Sequence, residues 1–266
     1  MKSAFAALLA CAAAACAFAS GHLDYTRVHF VREAECKAVA RSAKCSAAHP
    51  ALHTPTQIDR NATTGNWLFR TNIPINGSEF AYATLVQYLG KRAVQEAGVP
   101  LPKQFYLHDI DFDFIEFSHI ETEKTWFQEN PDKGTFTQWP LFGAVIPPQW
   151  VNATQRDATA RDTDKLWAID QLPARLKQTK EWLDTQYDIP HVMFWHCEAG
   201  CDRTGEMSAA YYMTYQGYNV TGAFAKDTVD CGRPPNYFSA GAISWFCLNQ
   251  ELTKGAKLGD CMSLPI

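Results

Sequence analysis

The sequence predicts an α/β fold: a central, mostly parallel twisted sheet with helices on both faces. Three observations predict it. His191-Val192-Met193-Phe194-Trp195 is an almost wholly apolar run of strand length, suited to the middle of a sheet covered on both sides. Helical periodicity flanks that run, over 165–184 before it and 204–216 after it. A strictly alternating segment lies further upstream, so strands and helices take turns along the chain.

The elements follow in order. Trp67-Leu68-Phe69-Arg70 reads as a short strand. Residues 79–97 carry Phe80, Ala83, Leu85, Val86, Leu89 and Val94 at helical spacing and end at Gly98 and Pro100. Over 108–117, Ile110, Phe112 and Phe114 alternate with Asp109, Asp111 and Asp113, the pattern of a half-buried strand with its carboxylates toward water. The 165–184 helix places Leu166, Ile169, Leu172, Leu176 and Leu183 on one face, with a kink expected at Pro173. Pro190 then breaks the chain ahead of the apolar run, and Gly217 stops the last of these helices. There is no internal repeat and no low-complexity segment.

A chain of 266 residues with 47% hydrophobic content suits one domain of ordinary size plus extras. The formal net charge is −4 and no Lys/Arg-rich run occurs, which argues against a nucleic-acid partner. Lys2, the uncharged apolar stretch 4–18 and the small-residue pattern Ala17-Phe18-Ala19 read as a signal peptide over 1–19, with a membrane anchor as the alternative. No further apolar run reaches the eighteen residues of a membrane span. Residues 20–60 then form an N-terminal extension, and 61–266 the main domain. Asn61, Asn76, Asn152 and Asn219 each begin an N-x-[ST] sequon, four of nine asparagines, which favours the secretory route and a secreted or lumenal protein. Seven cysteines remain after the leader: Cys36, Cys45, Cys197, Cys201, Cys231, Cys247 and Cys261. Six paired and one free is the simplest sum, with Cys36 and Cys45 expected to pair.

The chemistry concentrates in His196-Cys197-Glu198-Ala199-Gly200-Cys201-Asp202-Arg203-Thr204-Gly205, between the apolar strand and the following helix. Five residues separate Cys197 from Arg203. That length lets the backbone curl into a cup whose amides, Glu198 to Arg203, face inward as an anion-binding nest. The helix starting near Thr204 adds its positive end. Arg203 can grip two oxygens of a phosphate with its planar fork, and Gly200 admits a backbone conformation that other residues resist. The same field lowers a thiol from about 8.5 toward roughly 3.5–7.5. Cys197 is therefore expected to be a thiolate nucleophile, with Thr204 hydrogen-bonded to its sulfur and His196 orienting the loop from beneath.

This segment resembles the signature of the cysteine-based protein tyrosine phosphatase superfamily. Ala209-Ala210-Tyr211-Tyr212-Met213 and Gly232-Arg233-Pro234-Pro235-Asn236-Tyr237-Phe238 are similar to segments of its dual-specificity branch. The resemblance spans about 165–251 and covers the earlier half poorly. It implies a phosphatase-like sheet with the phosphate-binding loop between a central strand and a helix, and hydrolysis of phosphate monoesters through a phosphocysteine. It implies no cofactor and no metal. The expected substrate is a phosphorylated protein or a small phosphoester.

The resemblance also implies an upstream carboxylic acid that protonates the leaving group. Three readings compete. Asp162 or Asp164, just ahead of the 165–184 helix, suits the dual-specificity arrangement, although both also read as helix caps. Trp139-Pro140-Leu141-Phe142-Gly143 is similar to the Trp-Pro-Asp loop of the classical enzymes, but with Leu141 in the acid's place. Asp202 matches the Asp of myotubularin-like loops and would donate locally, unless it turns outward to hold the loop. Cys201 is expected either to pair with Cys231 or another half-cystine, or to resolve an oxidised Cys197.

Asp109-x-Asp111-x-Asp113 invites a calcium-loop reading, which fails because Phe114 and Ile120 stand where Gly and Glu are required. Acidic Glu198 and Asp202, with no Lys in the cup, favour single phosphomonoesters such as phosphotyrosine or phosphoserine. The His196-to-Gly200 stretch also resembles the loop of cysteine phytases, which keeps inositol phosphates open. A third reading is an inert phosphate-binding module, with Cys197 and Cys201 joined.

Overall fold

The computed structural model describes the backbone of residues 29–30 and the chain over 60–114 and 118–266. The expected leader and the Cys36–Cys45 pairing lie outside the described residues. Among the described residues there are seven strands: β1 (His29–Phe30), β2 (Trp67–Asn72), β3 (Ile75–Asn76), β4 (Glu79–Phe80), β5 (Tyr106–Asp111), β6 (Gly134–Gln138) and β7 (His191–Cys197). Five of them form one sheet in the order β1-β2-β7-β5-β6, and β3 with β4 makes a separate hairpin. Within the large sheet every pairing is parallel except that of β1 with β2. The register sets Asn72 beside Cys197 on one flank of β7 and Asp111 beside His196 on the other.

Helices cover both faces, as the apolar run of β7 demands. They are α1 (Tyr82–Ala97), α2 (Ser118–Glu129), α3 (Ala153–Arg161), α4 (Thr163–Leu166), α5 (Leu172–Asp184), α6 (Arg203–Tyr215), α7 (Val220–Cys231) and α8 (Tyr237–Lys254). Alternate strand residues sort onto two cores. Leu68, Ile110, Met193 and Trp195 join Leu176, Tyr211, Ile243 and Phe246 on one side. Trp67, Phe69, Leu107, Val192 and Phe194 join Leu85 and Leu89 of α1 and Phe127 of α2 on the other. Burial of each such side chain contributes about 1.5–3 kcal/mol, so the sheet is pinned from both sides.

Three elements differ from their sequence reading. The expected 165–184 helix is two: α4 ends at Leu166, and α5 begins at Leu172 after a turn in which Gln171 has φ 49°. Pro173 falls in the first turn of α5, where its missing N–H costs nothing, so it starts a helix rather than kinking one. The expected 79–97 helix begins at Tyr82, because Glu79 and Phe80 pair with Asn76 and Ile75 in the β3–β4 hairpin. The third concerns Asp109, Asp111 and Asp113. They alternate as expected but do not face water: all three are fully buried. Their side of β5 is covered by α2, which brings the buried Glu123 and the half-buried His119 against them.

Candidate active site

Strand β7 ends at Cys197 and α6 begins at Arg203, so the five residues between them must turn in a tight loop. Gly200 sits in that loop with φ 68°, the left-handed region that glycine tolerates. Any Cβ there would meet the Thr71 carbonyl oxygen at 2.6 Å and the Asn72 nitrogen at 2.9 Å. The loop is held on β2 by two further bonds: Ile73 N–H donates to the Glu198 carbonyl at 3.2 Å, and Arg70 Nη2 donates to the Gly200 carbonyl at 2.9 Å. Arg70 is itself buried and paired with Asp227 of α7. Burial opposes its charge, but Asp227, Tyr212 and Asp230 outweigh it and raise its pKa further. Gly205 in the first turn of α6 leaves room for the Asp227 carboxylate, which a Cβ would strike.

Cys197 is buried and is the one free cysteine among the described residues. Thr204 Oγ1 donates to its Sγ at 3.2 Å. Arg203 lies at the same loop with its guanidinium 5.3 Å from the Phe114 ring centre, and its Nη1 is 2.5 Å from Asp113 Oδ1. Burial alone would raise the Asp113 carboxyl. The Arg203 guanidinium, with His119 at 3.0 Å, overrides it and holds the group below the usual carboxylate range. Asp113 is placed by its backbone: Phe112 N–H donates to the His196 carbonyl, Leu141 N–H to that of Phe112, and Gln138 Nε2 to that of Asp113. Glu198 is half-buried, and burial followed by the Asp113 charge raises its carboxyl.

His196, the residue before Cys197, is fully buried, with Nε2 at 2.9 Å from Asp109 and 3.1 Å from Glu123. Burial disfavours its charge, but those two carboxylates prevail and hold the imidazole protonated well above its ordinary range.

Among the described residues there are two disulfides, one of them at the loop. Cys201 pairs with Cys231 at the end of α7, and Cys247 of α8 pairs with Cys261. Cys201 is therefore not a free resolving thiol. Asp202 turns outward: Arg233 Nη1 and Nη2 grip its two oxygens at 2.8 and 2.7 Å, and Asn236 N–H donates to it at 2.7 Å. Arg233 stands half-exposed at the mouth of the loop, its charge favoured first by Asp202 and also by the Cys197 sulfur.

The other acid positions stand elsewhere. Asp162 caps α4 through Lys165 N–H and pairs with Lys165 Nζ at 2.8 Å, and Asp164 lies exposed in the same short helix. The structure does not bring either to the loop through a hydrogen bond or ion pair. Leu141 is buried, so the Trp139–Gly143 loop turns this side chain into the core. That loop does reach the site: the Phe142 ring is 4.9 Å from Phe114. Its Phe142 N–H donates to Asp170, whose carboxyl burial pushes up to about 6.

Asp113, Arg70, Asp227, Arg233 and Glu123 are the site residues that sequence reasoning did not assign. A visible signal existed for two: Arg70 is a charge in an apolar strand, and Asp113 ends the run of alternating carboxylates.

No family model matches the chain, and no curated protein does. Among solved structures, Pseudomonas aeruginosa TpbA bound to phosphotyrosine, as a cysteine-to-serine variant, aligns at a TM-score of 0.40 and 16% identity, over 80% of this chain and 100% of that one. A second TpbA structure aligns at a TM-score of 0.39 and 16% identity, over 82% of this chain and 96% of that one. The α/β assignment rests on the strand order, and the site on its own contacts: a β-strand, a tight loop holding a free cysteine and an arginine, and a helix.

Proposed function

We propose that the chain is a secreted, cysteine-dependent phosphomonoesterase of the tyrosine or dual-specificity type. One observation carries the reading: the free Cys197 accepts from Thr204 at 3.2 Å, in the same loop that delivers the Asp113-anchored Arg203 to the start of α6. The Cys197 thiolate attacks phosphorus, an S–P bond forms, and the P–O bond to the leaving group breaks. The leaving oxygen takes a proton. Water then attacks phosphorus and gives a proton to the carboxylate that served the leaving group, the S–P bond breaks, and inorganic phosphate departs as the thiolate returns. Arg203 and the loop amides stabilise the charge on the transferring phosphoryl oxygens. Thr204 supports the sulfur as it leaves, and His196 holds the loop from below.

Glu198 stands in the loop itself, half-buried, with its carboxyl raised by burial and then by the Asp113 charge, and we infer that it carries the leaving group's proton. We assign Asp162 to capping α4, Asp164 to the exposed first turn of that helix, and Asp202 to holding Arg233. Exposed asparagines at 76, 152 and 219 support glycosylation and the secreted placement. Arg233 favours a second reading, an inositol phosphate substrate, because a cation at the mouth suits a second phosphate. One route to an inert phosphate-binding module, a Cys197–Cys201 bridge, is not taken up in this structure, since Cys201 is bonded to Cys231.

The test is hydrolysis of p-nitrophenyl phosphate by wild type and Cys197→Ser. Loss of roughly 10⁴-fold or more is expected on removing the nucleophile. Wild-type turnover in the variant would end the reading. A panel of phosphotyrosine peptide, phosphoserine peptide and phytate then separates the protein and inositol branches.

A further inference from the structure

The carboxylates on the α2 side of β5 do not balance. His196 Nε2 lies 2.9 Å from Asp109 Oδ1 and 3.1 Å from Glu123 Oε2, and all three side chains are fully buried. An imidazole nitrogen carries at most one hydrogen, so it can satisfy only one of the two. Both oxygens of Glu123, Asp109 Oδ2, Asp111 Oδ2 and His196 Nδ1 are buried and receive no N–H or O–H from a neighbour, and the Asp109 and Glu123 carboxyls lie close enough that only a shared proton would join them. Each such group is costly away from water. The neighbouring pair differs: Asp113 is committed to Arg203 and His119.

We propose that Asp109, Glu123 and His196 form a structural site for one divalent first-row cation, Zn²⁺ or Mn²⁺. The three donor atoms lie within 4.8 Å of one another. Imidazole and carboxylate donors bind such ions at about 2.0–2.2 Å, which sets neighbouring donors about 3 Å apart in octahedral coordination and about 3.4 Å apart in tetrahedral coordination. The His196 separations of 2.9 and 3.1 Å fit the octahedral spacing of Mn²⁺ directly, and a tetrahedral Zn²⁺ after the donors part by a few tenths of an ångström. His196 Nδ1 lies 3.9 Å from Asp111 Oδ1, beyond a direct hydrogen bond. The cation replaces the proton on Nε2 and gives the Glu123 carboxylate its missing partner. It ties β5, α2 and β7 together directly beneath Cys197. Because the site is sealed, it loads as the chain folds. This is not the calcium loop that the spacing of Asp109, Asp111 and Asp113 fails to make, since two of the three donors come from other elements. It stands whether or not the phosphatase reading does.

The mature chain is refolded in chelator-treated buffer with Zn²⁺, Mn²⁺ or Ca²⁺ added singly. Retained metal is measured by mass spectrometry after gel filtration, and thermal midpoints are compared. About one equivalent of Zn²⁺ or Mn²⁺ is expected, with a midpoint roughly 5 °C or more above the metal-free protein. Glu123→Gln should lose both effects, while Asp164→Asn, a surface carboxylate, should keep them. If neither ion is retained, or Glu123→Gln retains it equally, the proposal is overturned and the shared proton is the answer. Should Glu123→Gln fail to fold, anomalous scattering from wild-type crystals grown with the retained ion decides. A peak between Asp109, Glu123 and His196 supports the site, and a peak elsewhere or none overturns it.

Discussion

At the residue scale, the chemistry depends on how a few charges are held. Asp113 fixes the Arg203 fork, and a guanidinium loosened by about 1 Å forfeits much of its aim at a phosphoryl group. Asp113→Asn should therefore lower kcat/KM for p-nitrophenyl phosphate by roughly 10–100-fold, with less effect on folding than on rate. Steady-state kinetics beside a urea melt checks both. Glu198→Gln should slow an alkyl phosphate at least about tenfold more than an aryl phosphate bearing a good leaving group. Equal slowing would take the proton-donor role from Glu198, and the same comparison on Asn variants at 162, 164 and 202 would locate it. Asp170 offers a stability test with a definite sign. Burial raises its folded-state pKa to about 6, above the ordinary aspartate value of 3.8. Its contribution is thus fully present below about pH 4 and lost as pH climbs toward 6, where a buried carboxylate must ionise. Asp170→Asn keeps an oxygen for the Phe142 amide and removes that loss. Relative to wild type it should gain about 2–3 kcal/mol between pH 4 and pH 8, read from urea midpoints.

At the scale of elements, the loop from Cys197 to Arg203 is shaped by what surrounds it. Its tightest fit is Gly200, with φ 68° and the β2 backbone within 3 Å of a prospective Cβ. Gly200→Ala should cost roughly 1–3 kcal/mol in stability and depress turnover together. The Cys201–Cys231 bridge, with a sequence separation of 30, fastens the loop to the end of α7 and carries Arg233 to its rim. Serine at both positions should cost about 2–4 kcal/mol and raise KM more than it lowers kcat, because Arg233 loses its seat while Cys197 and Arg203 keep theirs. Denaturant melts and kinetics on the double variant measure this. The elements also show where local pattern misleads. Leu166, Ile169 and Leu172 fit one helical face, yet the chain turns between them, because Asp170 is drawn inward to the Phe142 amide.

For the whole molecule, two cores on either side of one sheet leave the strand ends to carry chemistry, and β7 is central to both cores. Expression through a eukaryotic secretory pathway should yield a chain starting near Ser20 that carries N-glycans, seen by N-terminal sequencing and a mobility shift on deglycosylation. The sequence by itself determined the buried strand, the Cys197-to-Arg203 spacing and the helix that follows. These are contiguous, and their geometry is set by bond lengths, side-chain periodicity and a helix terminus within about ten residues. It also determined that one cysteine should be left over. Only the tertiary structure decided which carboxylates attend the site. Alternation separates the two faces of β5 but cannot say whether water or a helix covers the polar one, and α2 covers it. Asp113 reaches Arg203, Arg70 reaches Gly200 at a sequence separation of 130, and Asp202 reaches Arg233 at 31. Such partners are fixed by how the sheet is ordered and how its helices pack. No local signal in the chain encodes that order.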